Sequence, residues 1–231
     1  MIEVRGLAKY FGRFSALRDL HLTVPQGQSV ALFGRNGAGK TTFLRILAGL
    51  SRPSGGAATV HAARPGSLDA RRVTGYLSHN TALYLDLTAL ENLRFYARLL
   101  DLSCRDADLE SRIARVGLAG RGREPVRHYS RGMQQRLAIA RAFLHDPEVL
   151  LLDEPFTGLD QAGTGFLKSY LNEARQRGKT CLMAIHDEPL GYDLSDRLVV
   201  IEKGVAALDL PRPSTSLEEF QNRYRKLTEE D

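Results

Sequence analysis

The sequence predicts an α/β protein in which a largely buried sheet is interrupted by a helical insertion. Three observations carry this. Short apolar runs alternate with amphipathic helical patterns; a glycine-punctuated loop at Gly34 to Thr41 separates one such run from a helix; and from roughly Thr74 to Leu144 strand signals largely vanish while helical ones dominate. Taking the elements in order, short strands at Ile2 to Val4 and His21 to Val24 flank a turn-prone YFGRFS segment, and Ser29 to Phe33 forms an apolar strand. A helix from about Lys40 to Leu50 places Phe43, Leu44, Leu47 and Leu50 on an inward stripe and stops at SRPSGG. Thr88 with Glu91 is a capping box, opening a helix with Leu90, Leu93, Ala97 and Leu100 at helical spacing. Strands resume at Val149 to Leu152, Thr180 to Ile185 and Leu198 to Ile201, with Lys203-Gly204 as a hairpin turn. The stretch from Pro211 reads as a polar, peripheral tail, helical at most.

Composition narrows the function classes. At 231 residues the chain is one large domain or one domain with a sub-domain, and 43% hydrophobic with 26% charged residues excludes disorder as its dominant state. A net charge of +5 suits an anionic partner such as a nucleotide, a nucleic acid or a lipid headgroup, but the basic residues are scattered and form no stripe. Cys104 and Cys181 make neither a disulfide framework nor a zinc cluster, which fits a reducing setting. The start lacks a signal-peptide core and no stretch approaches the roughly 18 apolar residues of a membrane span. If the protein serves a membrane, another chain is expected to cross it.

The strongest local motif is Gly34-Arg35-Asn36-Gly37-Ala38-Gly39-Lys40-Thr41, followed by Thr42. Glycines let consecutive N–H groups turn inward around phosphate oxygens, and a helix N-terminus adds its positive end. A lysine at this place supplies a mobile charge for β and γ phosphates, and Thr41 a hydroxyl for Mg²⁺. A plain glycine-rich turn is the bland alternative, but the strand before and the helix after are what the motif demands. Val149-Leu150-Leu151-Leu152-Asp153-Glu154 is an apolar strand ending in two carboxylates. Asp153 sits where a side chain can stand beside Mg²⁺, and Glu154 points elsewhere, available to polarise a water. Alone, this ending equally fits a solvated turn. Between the two lies Tyr129-Ser130-Arg131-Gly132-Met133-Gln134-Gln135-Arg136, a Ser-capped helix start at which a hydroxyl and free N–H groups converge.

The order of these elements, with LLLDEPFTGLD and then Ala184-Ile185-His186-Asp187, resembles the ATP-binding subunit of ABC transporters over about Met1 to Leu208. The resemblance implies a P-loop NTPase core sheet with an antiparallel β subdomain and a helical subdomain carrying the signature. It places the ATPase domain at about residues 1–210, the helical part at about 80–145 and a polar tail at 211–231. It also implies ATP and Mg²⁺ as cofactors, a transmembrane permease and a second nucleotide-binding subunit as partners (homodimer or heterodimer), no nucleic acid, and a cytoplasmic place on the inner face of the cell membrane. Residue by residue, Gly34 to Thr42 bind nucleotide, Phe11 stacks on adenine with Tyr10 as the alternative, and Thr41 and Asp153 hold Mg²⁺. Glu154, His186 and Lys40 are catalytic. Ser130, Arg131, Gly132 and Met133 face the partner's ATP, and Thr157 to Asp160 form the D-loop.

Two departures stand out. Arg131 and Met133 replace the usual glycine and glutamine of the signature; Arg131 either adds charge near the γ phosphate or reaches solvent or a carboxylate. His79 occupies the Q-loop glutamine position, and hard Mg²⁺ disfavours its imidazole nitrogen as a ligand, which leaves open a role in sensing nucleotide or the membrane partner. His79, AGLSRPSGG and SHNTALYLDLTALENLRFYARL look most like the haem-exporter or cytochrome c maturation ATPase (CcmA type), with drug or lipid exporters as the alternative. Leu83 to Asn92 is the expected permease-docking segment. A DNA-repair or ribosome-associated relative and a non-hydrolysing regulatory protein are the other classes. The first lacks its coiled coil, zinc cysteines or second ATPase copy here, and intact Lys40, Asp153, Glu154 and His186 argue against the second.

Overall fold

The computed structural model describes residues 1–229. A long hairpin, β1 (Ile2–Phe11) and β2 (Phe14–Val24), turns at Gly12-Arg13 and leads to β3 (Ser29–Phe33), the phosphate-loop motif and α1 (Lys40–Leu47). Next come β4 (Gly55–Val60), α2 (Leu68–Val73) and β5 (Thr74–Leu77). A helical stretch of α3 (Ala89–Leu99), α4 (Asp106–Arg115) and α5 (Arg131–Ala142) precedes β6 (Val149–Asp153) and α6 (Gln161–Gln176). The chain ends in β7 (Thr180–Ala184), α7 (Glu188–Leu194), the hairpin β8 (Arg197–Glu202) and β9 (Val205–Pro211), and α8 (Leu217–Glu229).

Two sheets result. An antiparallel one has the order β2-β1-β4, and a six-stranded one has the order β5-β6-β7-β3-β8-β9, parallel except for β9. Every residue of β3, β6 and β7 is buried. That is why these strands read as unbroken apolar runs rather than alternating ones: each is covered on both faces. One face packs with α1 (Phe43, Leu44, Leu47) against Ile2, Leu7, Leu20 and Leu22 of the antiparallel sheet. The other packs against α5, α6 and α8 through Ile139, Leu167, Leu171 and Phe220. A third core belongs to the helical stretch, joining Leu93 of α3, Leu109 and Ile113 of α4 and Leu137 of α5. Helix α5 serves two cores, with Ala138, Ile139 and Ala142 toward the sheet and Leu137 and Ala140 toward the helices.

The Thr88 capping box is present as expected, with Thr88 N–H donating to Glu91 at 2.8 Å and Glu91 N–H to Thr88 Oγ1 at 3.2 Å. Behind it, Asn92 is fully buried and holds the entry loop: its Oδ1 accepts from Tyr84 N–H at 2.8 Å and its Nδ2 donates to the carbonyls of Tyr84 and Thr88 at 2.9 and 3.0 Å.

Several elements differ from the sequence reading. The first hairpin strands run to the turn itself, bent by register shifts that the apolar pattern does not reveal. β4, with the small residues GGAATV, pairs with β1 where the sequence showed only a helix stop. β5 is a four-residue strand inside the stretch read as helical; it borders β6 alone, so its burial signal is short. α1 ends at Leu47 because Gly49 takes a left-handed φ of 74°, which leaves Leu50 59% exposed instead of on the inward stripe. The segment after Pro211 is not peripheral. Its helix α8 buries Phe220 completely against Phe33, with ring centroids 4.7 Å apart.

The two thiols should separate cleanly in the native state. Burial pushes the Cys181 thiol up to about 12, whereas Cys104 is half-buried. Titration of the folded protein with an aromatic disulfide at pH 8 is expected to modify one thiol rapidly and the second only on denaturation; two rapid equivalents would show that β7 is accessible. Asn92→Ala should cost about 2–3 kcal/mol in urea unfolding, because it strands buried backbone groups without partners.

Candidate active site

The phosphate-loop motif leaves β3 at the carboxyl end of the sheet, where β3 lies between β7 and β8. Strand order crosses over there, and ligands of open parallel sheets bind at such points. Two glycines make the loop possible. Gly34 has φ 142°, and a Cβ on it would lie 2.1 Å from the Ile201 carbonyl oxygen; Gly39 has φ 112°, and a Cβ there would lie 2.5 Å from that of Ala16. Arg35, Asn36 and Gly37 form an exposed crest, while Ala38, Gly39 and Lys40 are buried beneath it and Thr42 is half-buried. The first turn of α1 carries no side-chain cap and no acidic residue, so its N–H groups and positive end face the loop's concavity.

The Lys40 ammonium donates to the Gly34 and Arg35 carbonyls at 2.5 and 3.1 Å. Burial lowers its pKa, partly offset by Glu154, Asp153 and Glu202. Next to it, the Thr41 hydroxyl donates to Asp153 Oδ1 at 3.0 Å, joining the start of α1 to the end of β6 across the sheet. Burial raises the Asp153 pKa, and the Thr41 hydrogen bond works the other way. A hydroxyl and a carboxylate oxygen side by side are hard donors of the kind Mg²⁺ takes when phosphates and water supply the rest. Among the described residues no cluster of three His, Cys, Asp or Glu side chains could hold a metal without such help. His79 is exposed.

Glu154 follows Asp153 with φ 52°, a left-handed conformation rare for a residue with a Cβ. Its Oε1 lies 2.7 Å from His186 Nε2, and its backbone N–H donates to the Ala184 carbonyl at 3.0 Å. Both side chains remain partly open to solvent. His186 leaves the end of β7 just before α7, so adjacent strands deliver the carboxylate and the imidazole.

Ser130 caps α5, its hydroxyl accepting from Met133 N–H at 3.3 Å. Gly132 packs against the D-loop: a Cβ on it would stand 3.5 Å from the Gly158 carbonyl oxygen. Arg131 lies over Gly158, where an added Cβ would come within 3.2 Å of its Nε, and it pairs with no carboxylate among the described residues. Arg136 ties α5 to Asp160, which caps α6, at 3.5 Å, and to the Gly117 carbonyl at 3.3 Å. Within this chain, Ser130 to Met133 line a surface separate from the phosphate loop.

Phe11 is 54% exposed beside the hairpin turn, with the Lys9 ammonium 4.9 Å from its ring centre; Tyr10 is exposed as well. Sequence reasoning passed over Phe14, which pairs with Phe11 across the hairpin and is equally exposed. The period-2 register of a two-residue hairpin was the signal that would have found it. The Leu83 to Asn92 segment divides: Leu90 is core and Leu83 packs on two cores, while Tyr84 and Leu85 are exposed. Nearby, a groove of about 480 Å³ runs between the end of α1, α3 and α5, lined by Leu50, Tyr76, Tyr96, Leu99, Arg141 and His145.

A phosphate loop at the carboxyl end of a central parallel strand, with a neighbouring strand ending in carboxylates, is the architecture of a P-loop nucleotide-binding protein. The family described as ABC transporter matches residues 17–157, and the chain belongs to that family as an ATP-binding subunit. It is 36% identical over 207 residues to the uncharacterized ABC transporter ATP-binding protein YdbJ of Bacillus subtilis, a match spanning 88% of this chain and 67% of that one. It is 35% identical over 212 residues to the sulfate/thiosulfate import ATP-binding protein CysA of Pectobacterium atrosepticum, spanning 88% of this chain and 64% of CysA. It is 37% identical over 230 residues to the fluoroquinolones export ATP-binding protein Rv2688c of Mycobacterium tuberculosis, covering 97% and 75%. Among solved structures, an ATP-binding subunit of an ABC transporter superposes with a TM-score of 0.85 at 28% identity, over 97% of this chain and 99% of that one. The ATP-binding cassette MJ0796, a dimer bound to ADP and phosphate, shares the fold at a TM-score of 0.82 and 23% identity, covering 92% and 99%.

Gly39→Ala should destabilise the fold by about 2–4 kcal/mol in urea denaturation, since the added methyl meets both the Ala16 carbonyl and Leu17 in a left-handed backbone. Gly37, with open space around it, should tolerate Ala with at most about 1 kcal/mol from its positive φ.

Proposed function

We propose that this chain is the ATP-hydrolysing subunit of an exporter, acting at the cytoplasmic face of the membrane on a separate transmembrane permease. The observation that carries the hydrolytic reading is the pair of contacts at the carboxyl ends of adjacent strands: Thr41 with Asp153, and Glu154 with His186 at 2.7 Å. They divide the work. Thr41 and Asp153 would hold Mg²⁺, which supplies charge neutralisation between the β and γ phosphates. Lys40 leaves the loop carbonyls for those phosphates, and the α1 N-terminus receives the rest of their charge. Glu154, carrying no metal-ligand duty, accepts the proton of the attacking water, and His186 orients Glu154 and donates toward the γ phosphate. Phe11 stacks on the base.

The surface formed by Ser130, Gly132 and their N–H groups has no phosphate of its own to bind within this chain. A second subunit packed head to tail would supply one; the MJ0796 cassette, which shares this fold, is dimeric. Closure on ATP and reopening after hydrolysis would then move the helical stretch through α5. The groove beside Leu50, Tyr96 and Leu99, with exposed Tyr84 and Leu85 near it, receives the permease. No helix among the described residues is long and apolar enough to cross a membrane, so the crossing falls to that partner.

Drug export is supported by the Rv2688c relative, which covers nearly the whole chain. Haem export, the narrower reading, is supported by His79 and the residues around it. Reconstituting the subunit with the permease encoded beside it and measuring cargo-stimulated ATP turnover decides between them: haem stimulation supports the narrower reading, and stimulation by amphipathic drugs alone removes it.

Glu154→Gln should leave ATP binding within about threefold of wild type while reducing turnover by about 10²–10⁴-fold. Retention of wild-type turnover would remove Glu154 as the base.

A further inference from the structure

A cavity of about 650 Å³ opens between the end of α1, β4 and the turn that leads into α2, and no residue of the phosphate loop lines it. Three arginines do, Arg52, Arg64 and Arg71, while no Asp, Glu or aromatic residue joins them. Asp69, the one carboxylate on α2, stands outside the lining. Among the described residues no carboxylate pairs with any of the three guanidinium groups. Elsewhere on the surface Arg94, Arg105, Arg121 and Arg177 each face one. Lys9 adds a further positive charge behind this wall, its ammonium donating to the Arg52 carbonyl at 2.8 Å.

The walls are fixed by main chain. Arg52 and Arg64 each precede a proline that also lines the cavity, and a following proline confines the backbone to extended conformations. A Cβ on Gly49 would lie 2.2 Å from the Gly66 Cα, and one on Gly56 would lie 2.1 Å from the Gly6 carbonyl oxygen. The end of α1 therefore meets the α2 turn, and β4 meets β1, at distances that no side chain permits. The arginines stand on a frame formed before any ligand arrives, so the ordering cost of binding falls mainly on their side chains.

We propose that this cavity is a second anion site, separate from the phosphate loop, which takes a phosphate-bearing group without a nucleobase. Three guanidinium groups around one cavity repel one another with no carboxylate to offset them, and an anion between them removes that repulsion. Their planar forks match phosphate oxygens two at a time. The lining offers a base no ring to stack on, so the phosphate group itself is what the site recognises. The cavity shares Gly66 and Arg71 with the groove of about 480 Å³ proposed to receive the permease. A phosphate held here, from a solute or from a lipid headgroup, sits beside that groove. Nothing in the site uses Lys40, Asp153 or Glu154, so it stands or falls independently of ATP hydrolysis.

The test uses the full-length chain carrying Lys40→Ala, which weakens phosphate binding at the loop, as the parent. It is compared with the parent plus Arg64→Gln and Arg71→Gln, and with the parent plus Arg123→Gln and Arg225→Gln, an equal loss of charge at residues that do not line the cavity. Each protein is titrated with inorganic pyrophosphate by calorimetry at low salt and floated with vesicles of phosphatidylcholine, with and without phosphatidylglycerol; circular dichroism melting follows the fold. The expected result is binding at least about tenfold weaker in the Arg64 and Arg71 double variant and within about twofold of the parent in the other, with unchanged melting. Should the first double variant melt early, Arg52→Gln, outside α2 and its turn, is expected to reproduce the loss. Pyrophosphate binding without flotation supports the site and makes a solute the source; flotation that needs phosphatidylglycerol and follows the same variants supports it and makes a lipid headgroup the source. Binding of neither probe overturns the proposal, as when an acidic segment of another protein fills the cavity. Equal weakening in both double variants overturns it too, because net charge alone then accounts for the binding.

Discussion

The structure depends on backbone meeting backbone where the phosphate loop leaves the sheet. The Gly34 Cα lies against the Ile201 carbonyl and the Gly39 Cα against that of Ala16, approaches that no side chain permits. The first fixes the loop to the central sheet through β8, and the second fixes it to the antiparallel hairpin. α1 starts at Lys40, directly after the second contact, so its N-terminus is aimed by main-chain sterics rather than by a capping side chain. Everything the site is proposed to do with an anion follows from that aim: the lysine, the threonine and the free N–H groups all begin at this one turn.

The remaining parts are arranged around the sheet by a division of surfaces. Adjacent strands β6 and β7 bring Asp153, Glu154 and His186 to the same edge as the loop. Helix α5 presents the Ser130 surface elsewhere and belongs to two cores at once, so it cannot shift against the helical stretch without also disturbing its packing on the sheet. Arg136 reinforces this by linking α5 to the Asp160 cap of α6. A displacement of α5 is therefore a movement of a body, not of a side chain, which suits the role proposed for it against a second subunit.

Much of this was legible in the sequence because the chemistry is local. The loop glycines, the carboxylates ending an apolar strand and the Thr88 capping box each declare themselves within eight residues. β3, β6, β7 and β8 were readable because both of their faces are covered, giving unbroken apolar runs. What stayed hidden was set by distant partners. GGAATV becomes β4 because β1 offers it an edge, TGYL becomes β5 because β6 does, and Leu50 is exposed because a glycine two residues past Leu47 ended the helix early. Phe220 looked like one aromatic in a polar tail, since nothing nearby in sequence shows that Phe33 awaits it. In the site, the motif order named Glu154 and His186, but their contact and the strained φ of Glu154 are tertiary facts. Arg131 was left between phosphate, solvent and carboxylate; lying across Gly158, it uses a contact that residue types alone do not specify.

The resting bonds of Lys40 carry a consequence for ligand discrimination. Its ammonium is already satisfied by two carbonyls of its own loop, so a ligand recruits it only by outcompeting them. A polyphosphate offers concentrated negative charge and can make that exchange; an uncharged nucleoside leaves the lysine where it is and gains only what the exposed aromatics of the hairpin supply. On the proposed nucleotide-binding reading, the loop then acts as a charge threshold that adenosine, lacking phosphate, does not cross.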